Sequence, residues 1–129
     1  ANVASGSLSL LDPCSLTDSA TLLPIVGVPS PAAMSTLHRC EWQAREDIAI
    51  SLGPDAVAAP GDPVRDVDGR EVFENVEAGY DTTCVLVYRH PVGETWQTVS
   101  VSASEVGEDH EHYCGTAADV LATVIPRLP

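Results

Sequence analysis

The chain has 129 residues and 13.6 kDa, with 19 acidic residues against 6 basic ones, and every basic residue is arginine. A net charge of −13 repels phosphate backbones and anionic bilayers, which sets aside nucleic-acid and membrane-surface roles. No window of 18 apolar residues is present, so no insertion into a membrane by this segment is expected, and 44% hydrophobic content is that of one folded domain rather than a disordered tail.

Residues 1–9 are small and polar and read as a flexible lead-in to a single domain over 10–129. The opening Ala1-Asn2-Val3-Ala4-Ser5-Gly6 has no basic segment followed by an apolar run, so an export signal is expected upstream or already removed. Asp12-Pro13 predicts a helix start: a carboxylate cap, then a ring whose fixed φ suits the first turn. Thr17 and Asp18 offer a second cap just downstream. Leu16, Leu22, Leu23 and Val26 are expected on one face, with Pro24 shortening the helix and Gly27 ending it. Pro29 and Pro31 then predict a loop to about Leu37.

From Cys40 the apolar period becomes two. Cys40, Trp42 and Ala44 alternate with polar neighbours, as do Ile48, Ile50 and Leu52 with Ala49 and Ser51, predicting two half-buried strands joined by Arg45-Glu46-Asp47. Residues 53–63 hold three prolines and two glycines and read as a loop. Asp68-Gly69, between Val64–Val67 and Arg70–Phe73, is the strongest hairpin signal in the chain. Thr82–Tyr88 and Thr95–Ala103 are the longest β-rich runs, with His90-Pro91-Val92-Gly93 as their turn.

Ala117, Ala118, Val120, Leu121, Val124 and Ile125 form one helical stripe, with Glu108, Asp109 and Glu111 where negative charge suits the helix dipole. Helix, strands, helix predicts an α+β domain. Its expected form is a single antiparallel sheet of about five to six strands, with an N-terminal and a C-terminal helix packed on it.

Cys14, Cys40, Cys84 and Cys114 are the only cysteines, and no two lie closer than 26 positions. The spacing lacks the close pairs of a zinc site or a dithiol motif, so two structural disulfides and a place outside the cytoplasm are expected. Of three possible pairings, Cys14–Cys40 with Cys84–Cys114 ties a helix to a neighbouring strand twice and closes loops that do not interleave.

No catalytic residues are expected. Serine is frequent, but none sits in a Gly-x-Ser-x-Gly elbow, and no phosphate-binding glycine loop exists, so neither nucleotide chemistry nor a cofactor is expected. His38 and His90 are isolated. Asp109-His110-Glu111-His112 offers two imidazoles among carboxylates, a metal pair if the backbone is extended, otherwise a solvated start to the last helix. Asp66-Val67-Asp68-Gly69 hints at a calcium loop but fails the twelve-residue spacing, and a hairpin turn explains it. Trp42 is in phase with Cys40 and is expected in the core. Trp96 shares its face with Thr98, Ser100 and Ser102 rather than with Val99 and Val101, which marks it as a candidate partner contact.

Leu10-Leu11-Asp12-Pro13-Cys14-Ser15-Leu16-Thr17, Arg39-Cys40-Glu41-Trp42, a mid-strand Cys84 and a late Cys114 opening an Ala-rich helix resemble a family of small actinobacterial exported proteins, mostly lipoproteins of unknown function. Similar modules occur as extracytoplasmic sensor domains of receptor serine/threonine kinases. The resemblance implies secretion or a cell-surface location and this architecture; the expected role is a non-enzymatic binding or sensor module for a protein or cell-wall ligand. It brings no catalytic motif. Such sequences run a longer unbroken helix after Asp-Pro-Cys, which Pro24 interrupts here. A secreted protease inhibitor presenting a proline-rich loop is the alternative, and metal capture through His110 and His112 a second one.

Overall fold

The computed structural model describes residues 8–53, 64–77, 81–106 and 110–129. The first carboxylate–proline pair opens one 3-10 turn, Pro13–Ser15, with Asp12 Oδ1 accepting from the Cys14 N–H. The helix proper, α1 (Ser19–Val26), starts at the second cap, where Asp18 Oδ1 accepts from the Thr21 N–H at 2.7 Å, and ends at Gly27 with φ +82°. Asp12 therefore does not begin a continuous helix. Leu16, Leu22 and Val26 are buried as the spacing predicts, whereas Leu23 faces solvent.

Seven strands follow, one or two more than expected: β1 (Ala33–Thr36), β2 (Arg39–Trp42), β3 (Asp47–Leu52), β4 (Val64–Val67), β5 (Arg70–Glu77), β6 (Asp81–Val92) and β7 (Thr95–Val106). They form one antiparallel sheet in the order β1-β2-β3-β7-β6-β5-β4. β1 is the strand absent from the sequence reading. Its residues are exposed on both sides, so no alternation betrays it, and Pro29 and Pro31 before it suggest a loop. The Ser30 N–H donates to the Gln43 carbonyl at 2.7 Å and carries the approach to β1 alongside the end of β2.

The β4–β5 turn is as predicted. Asp68 and Gly69 take φ values of 53° and 78°, the double positive φ of a two-residue I′ hairpin. The β6–β7 turn is shorter and later than His90–Gly93. Both strands run on to Val92 and Thr95, leaving Gly93-Glu94 as the connection. Pro91 is tolerated inside β6 because pairing with β5 ends at Val87, so no β5 partner requires its missing N–H.

The final helix, α2 (His110–Val124), buries Cys114, Ala117, Val120, Leu121 and Val124, and Ile125 enters the 3-10 turn that follows. Register places Cys40, Trp42, Ile48, Ile50, Leu86, Tyr88, Val99 and Val101 on the sheet face toward the helices, where they make one core with the helical stripes. Each fully buried Leu, Ile or Val of this kind contributes about 1.5–3 kcal/mol. Two disulfides pin that layer: Cys14–Cys40 ties the Pro13–Ser15 turn to β2, and Cys84–Cys114 ties β6 to α2. Arg65 of β4 adds an ionic clasp, pairing with Glu74 of β5 and, at 3.4 Å, with Glu111 of α2. The Glu74 carboxylate against its guanidinium pushes the Arg65 pKa up. No helix is long and apolar enough to cross a membrane, among the described residues.

Candidate binding face

The other face of the sheet is built from the alternate residues. Along β7 it carries Trp96, Thr98, Ser100, Ser102 and Ser104, the phase predicted for Trp96. Val101 and Cys84, one residue out of phase, point to α2, so the described helices lie on the opposite side from Trp96. Central positions of this face are small and buried: Ala49, Ser51, Val85 and Ser100. The β3 strand is thus covered on both sides rather than half-buried as its alternation suggests.

At one end, three side chains from three strands form a row. The Arg89 guanidinium of β6 lies over the Phe73 ring of β5, 4.8 Å from its centroid, and over the Trp96 ring, 5.2 Å from its centroid. Each such cation–π contact is worth about 0.5–1 kcal/mol where solvent reaches it. Trp96 nevertheless remains 60% exposed, unlike Trp42, which is 2% exposed in the core. Trp42 is therefore structural, and Trp96 is a large aromatic surface held on regular secondary structure.

Toward the other end, Arg39, Glu41, Asp47, Ala49, Ser102 and Ser104 border a surface cavity of about 170 Å³. Arg39 Nη1 donates to the Ser51 hydroxyl at 2.8 Å and its Nε to Glu41 at 3.1 Å, so its charge is already engaged. Arg45, Arg65 and Arg127 also pair with carboxylates. Arg89 makes no hydrogen bond and no ion pair among the described residues, although its planar head carries five N–H donors.

The histidine segment is arranged differently from the metal pair that an extended backbone would give. His110 and His112 both lie within α2, and Asp109 is outside the described residues. His112 Nε2 donates instead to Glu46 Oε1, at 2.7 Å, in the turn between β2 and β3. Glu46 is buried, a role its place in a polar turn concealed. One signal for it exists: Glu46 continues the phase of Cys40, Trp42 and Ala44 into Ile48. Glu74, Cys84 and Cys114 bring ligand atoms within 4.8 Å of one another, but both sulfurs are spent on the disulfide rather than available as thiolates.

His38 is half-buried beside β2, and His90 Nε2 lies 2.6 Å from the Pro129 carbonyl, so the two remain apart from the His112 pair. Asp66 and Asp68 belong to the β4–β5 hairpin. Of the two proline-rich stretches, residues 54–63 lie outside the described set, and 27–37 contains β1 rather than a free loop. Phe73 and Arg89 carry no sequence signal of their own; only the register brings them to Trp96. Comparison with protein-family models, with curated proteins and with solved structures finds no match to this chain.

Proposed function

We propose that this chain is a non-enzymatic extracytoplasmic binding or sensor module of an actinobacterial exported protein or receptor kinase, and that it recognises its ligand through the sheet face around Trp96. The observation that carries this reading is the exposure of Trp96, 60%, on a paired strand where Arg89 and Phe73 hold its neighbourhood in place. Aromatic anchors on rigid elements are the common currency of recognition surfaces, because they offer large contact area at low entropic cost. The extracytoplasmic placement is supported by two disulfides in a small domain, a feature of oxidising compartments.

The test is retention of purified protein on isolated cell-wall material. Wild type is expected to bind and Trp96→Ala to be released, while both give the same near-ultraviolet dichroism from the buried Trp42. Equal retention of the two proteins would remove the face from the function. Alkylation of the native chain before and after reduction checks the compartment. Four thiols reacting without reductant would contradict it.

A further inference from the structure

On the reading that this face is the binding surface, we infer that Arg89 recognises a carboxylate, and that the ligand is a carboxylated sugar whose ring packs at Trp96. In a chain with 19 acidic residues and 6 arginines, an exposed guanidinium is expected to find a carboxylate of its own. Arg39, Arg45, Arg65 and Arg127 do so. Arg70 and Arg89 do not: Arg70 stands exposed at the β4–β5 hairpin, whereas Arg89 rests over Phe73 at 4.8 Å and Trp96 at 5.2 Å, with no ion pair or hydrogen bond among the described residues. Glu71, two residues before Phe73 in β5, is exposed and makes no ion pair with it.

With its central carbon over both rings and no hydrogen bond among the described residues, the guanidinium keeps its N–H groups for an incoming acceptor. A planar fork of donors matches a carboxylate bidentately, and a fork already held between rings loses less conformational freedom on binding. The charge sign therefore points to an acidic ligand. Its size is limited by the rest of the molecule: a net charge of −13 opposes a polyanion such as nucleic acid, whereas one carboxylate meets only the charges within a Debye length of about 8 Å.

The surroundings favour a sugar over a peptide. A peptide that adds a strand pairs with backbone along a sheet edge, and a helical one lies in an apolar groove. Arg89 and Trp96 lie where β6 and β7 run on beyond their pairing with β5 and β3, which ends at Val87 and Val99, and their side chains stand on the face of that extension rather than along its edges. That face offers an exposed indole, suited to the apolar C–H side of a sugar ring, beside the Thr98 hydroxyl directly opposite Arg89. Ser102 and Ser104, partly exposed, continue the row toward the cavity bordered by Arg39 and Asp47. Hydroxyls both donate and accept, which is what a polyhydroxylated ring requires.

The experiment follows tryptophan fluorescence, in which Trp96 is the solvent-accessible reporter and Trp42 the buried background. Two matched pairs of probes are titrated into the native protein: methyl galacturonoside with methyl galactoside, and N-acetylmuramic acid with N-acetylglucosamine. The expected result is saturable quenching by the acidic member of at least one pair, with tenfold or weaker binding of its neutral counterpart. Arg89→Gln should lower the acid to the neutral level with the fold intact, and Arg89→Lys should restore it only in part, since an ammonium lacks the bidentate fork. Equal binding of acid and neutral sugar, or an Arg89→Gln variant that still prefers the acid, overturns the role of Arg89 and leaves the face reading standing. No response to any of the four probes overturns the sugar inference itself. The face reading is then judged separately by whether Trp96→Ala is released from cell-wall material.

Discussion

Glu46 and His112, 66 positions apart, meet across the fold: the imidazole Nε2 donates to Oε1 of a fully buried carboxylate at 2.7 Å, while the ring itself remains half exposed. The pair joins the β2–β3 turn to the first turn of α2. Oε2 of Glu46 has no hydrogen-bond partner among the described residues, and Arg45 Nε lies 3.8 Å from Oε1, so His112 is the close partner of this buried charge. Removing it leaves a carboxylate that water cannot fully solvate. His112→Ala should therefore cost about 1–3 kcal/mol in urea unfolding. In a Glu46→Gln background the same substitution should cost less, because no uncompensated charge is left behind. Additive losses in that double-mutant cycle would show that the two groups do not support each other.

The two disulfides close loops of similar length, with separations of 26 and 30 residues, so loss of either should cost about 3–4 kcal/mol in the chain-entropy account. Their accessibility differs. Cys84 and Cys114 are both completely buried, whereas Cys14 is partly exposed in its 3-10 turn. A small dithiol should thus open Cys14–Cys40 first. Peptide mapping after limiting reduction and alkylation should find label on Cys14 and Cys40 well before Cys84 and Cys114. The reverse order would mean that α2 leaves the sheet more readily than the turn Pro13–Ser15 leaves β2.

Gly69 tests the hairpin that joins β4 to β5. Its φ of 78° lies in the left-handed region, and a Cβ built there would meet nothing within 4 Å. Any penalty for Gly69→Val is therefore conformational and not a clash, on the order of 1–2 kcal/mol. Asp68→Gly, at φ 53°, should be tolerated far better, since glycine takes that conformation without strain. Chemical denaturation of the two variants checks the contrast; equal losses would place the cost in lost side-chain contacts instead.

These local signals explain why much of the fold was legible in the chain. Asp68-Gly69 states its turn type, Gly27 and Asp18 mark helix ends, and Cys84 with Cys114 are separated as a strand-to-helix staple requires. The phase of Trp96 against Val99 and Val101 marks the more polar side of β7, and the Cys84–Cys114 bridge on the other phase fixes that side as the one away from α2. What was hidden depends on neighbours distant in sequence. β1 shows no periodicity, because Ala33, Met34, Ser35 and Thr36 are all exposed and only pairing with β2 defines the strand. Asp12-Pro13 carries the same cap chemistry as a true helix start, yet the chain turns after Ser15 and waits for Asp18. The Phe73–Arg89–Trp96 row exists only once β5, β6 and β7 are in register.

Asp18 links the first helix to the end of the chain and gives a pH-dependent prediction. Its carboxylate caps α1 through the Thr21 N–H at 2.7 Å and receives Arg127 Nη2 at 3.1 Å. Those donors, the Thr21 backbone bond first, hold its pKa below the ordinary value of 3.8. A carboxylate with a lowered folded-state pKa stabilises the fold above its unfolded pKa, and that contribution disappears as pH falls through the lower folded value. Asp18→Ala should accordingly lower Tm at neutral pH, with the gap to wild type narrowing as the solution is taken below 3.8. Asp18→Asn keeps an oxygen that can cap Thr21 but loses the charge that attracts Arg127, so it should fall between the two and show a weaker pH response. A gap that stayed constant from neutral to strongly acidic solution would mean that Asp18 acts through packing alone and that its charge does not hold α1 to Arg127.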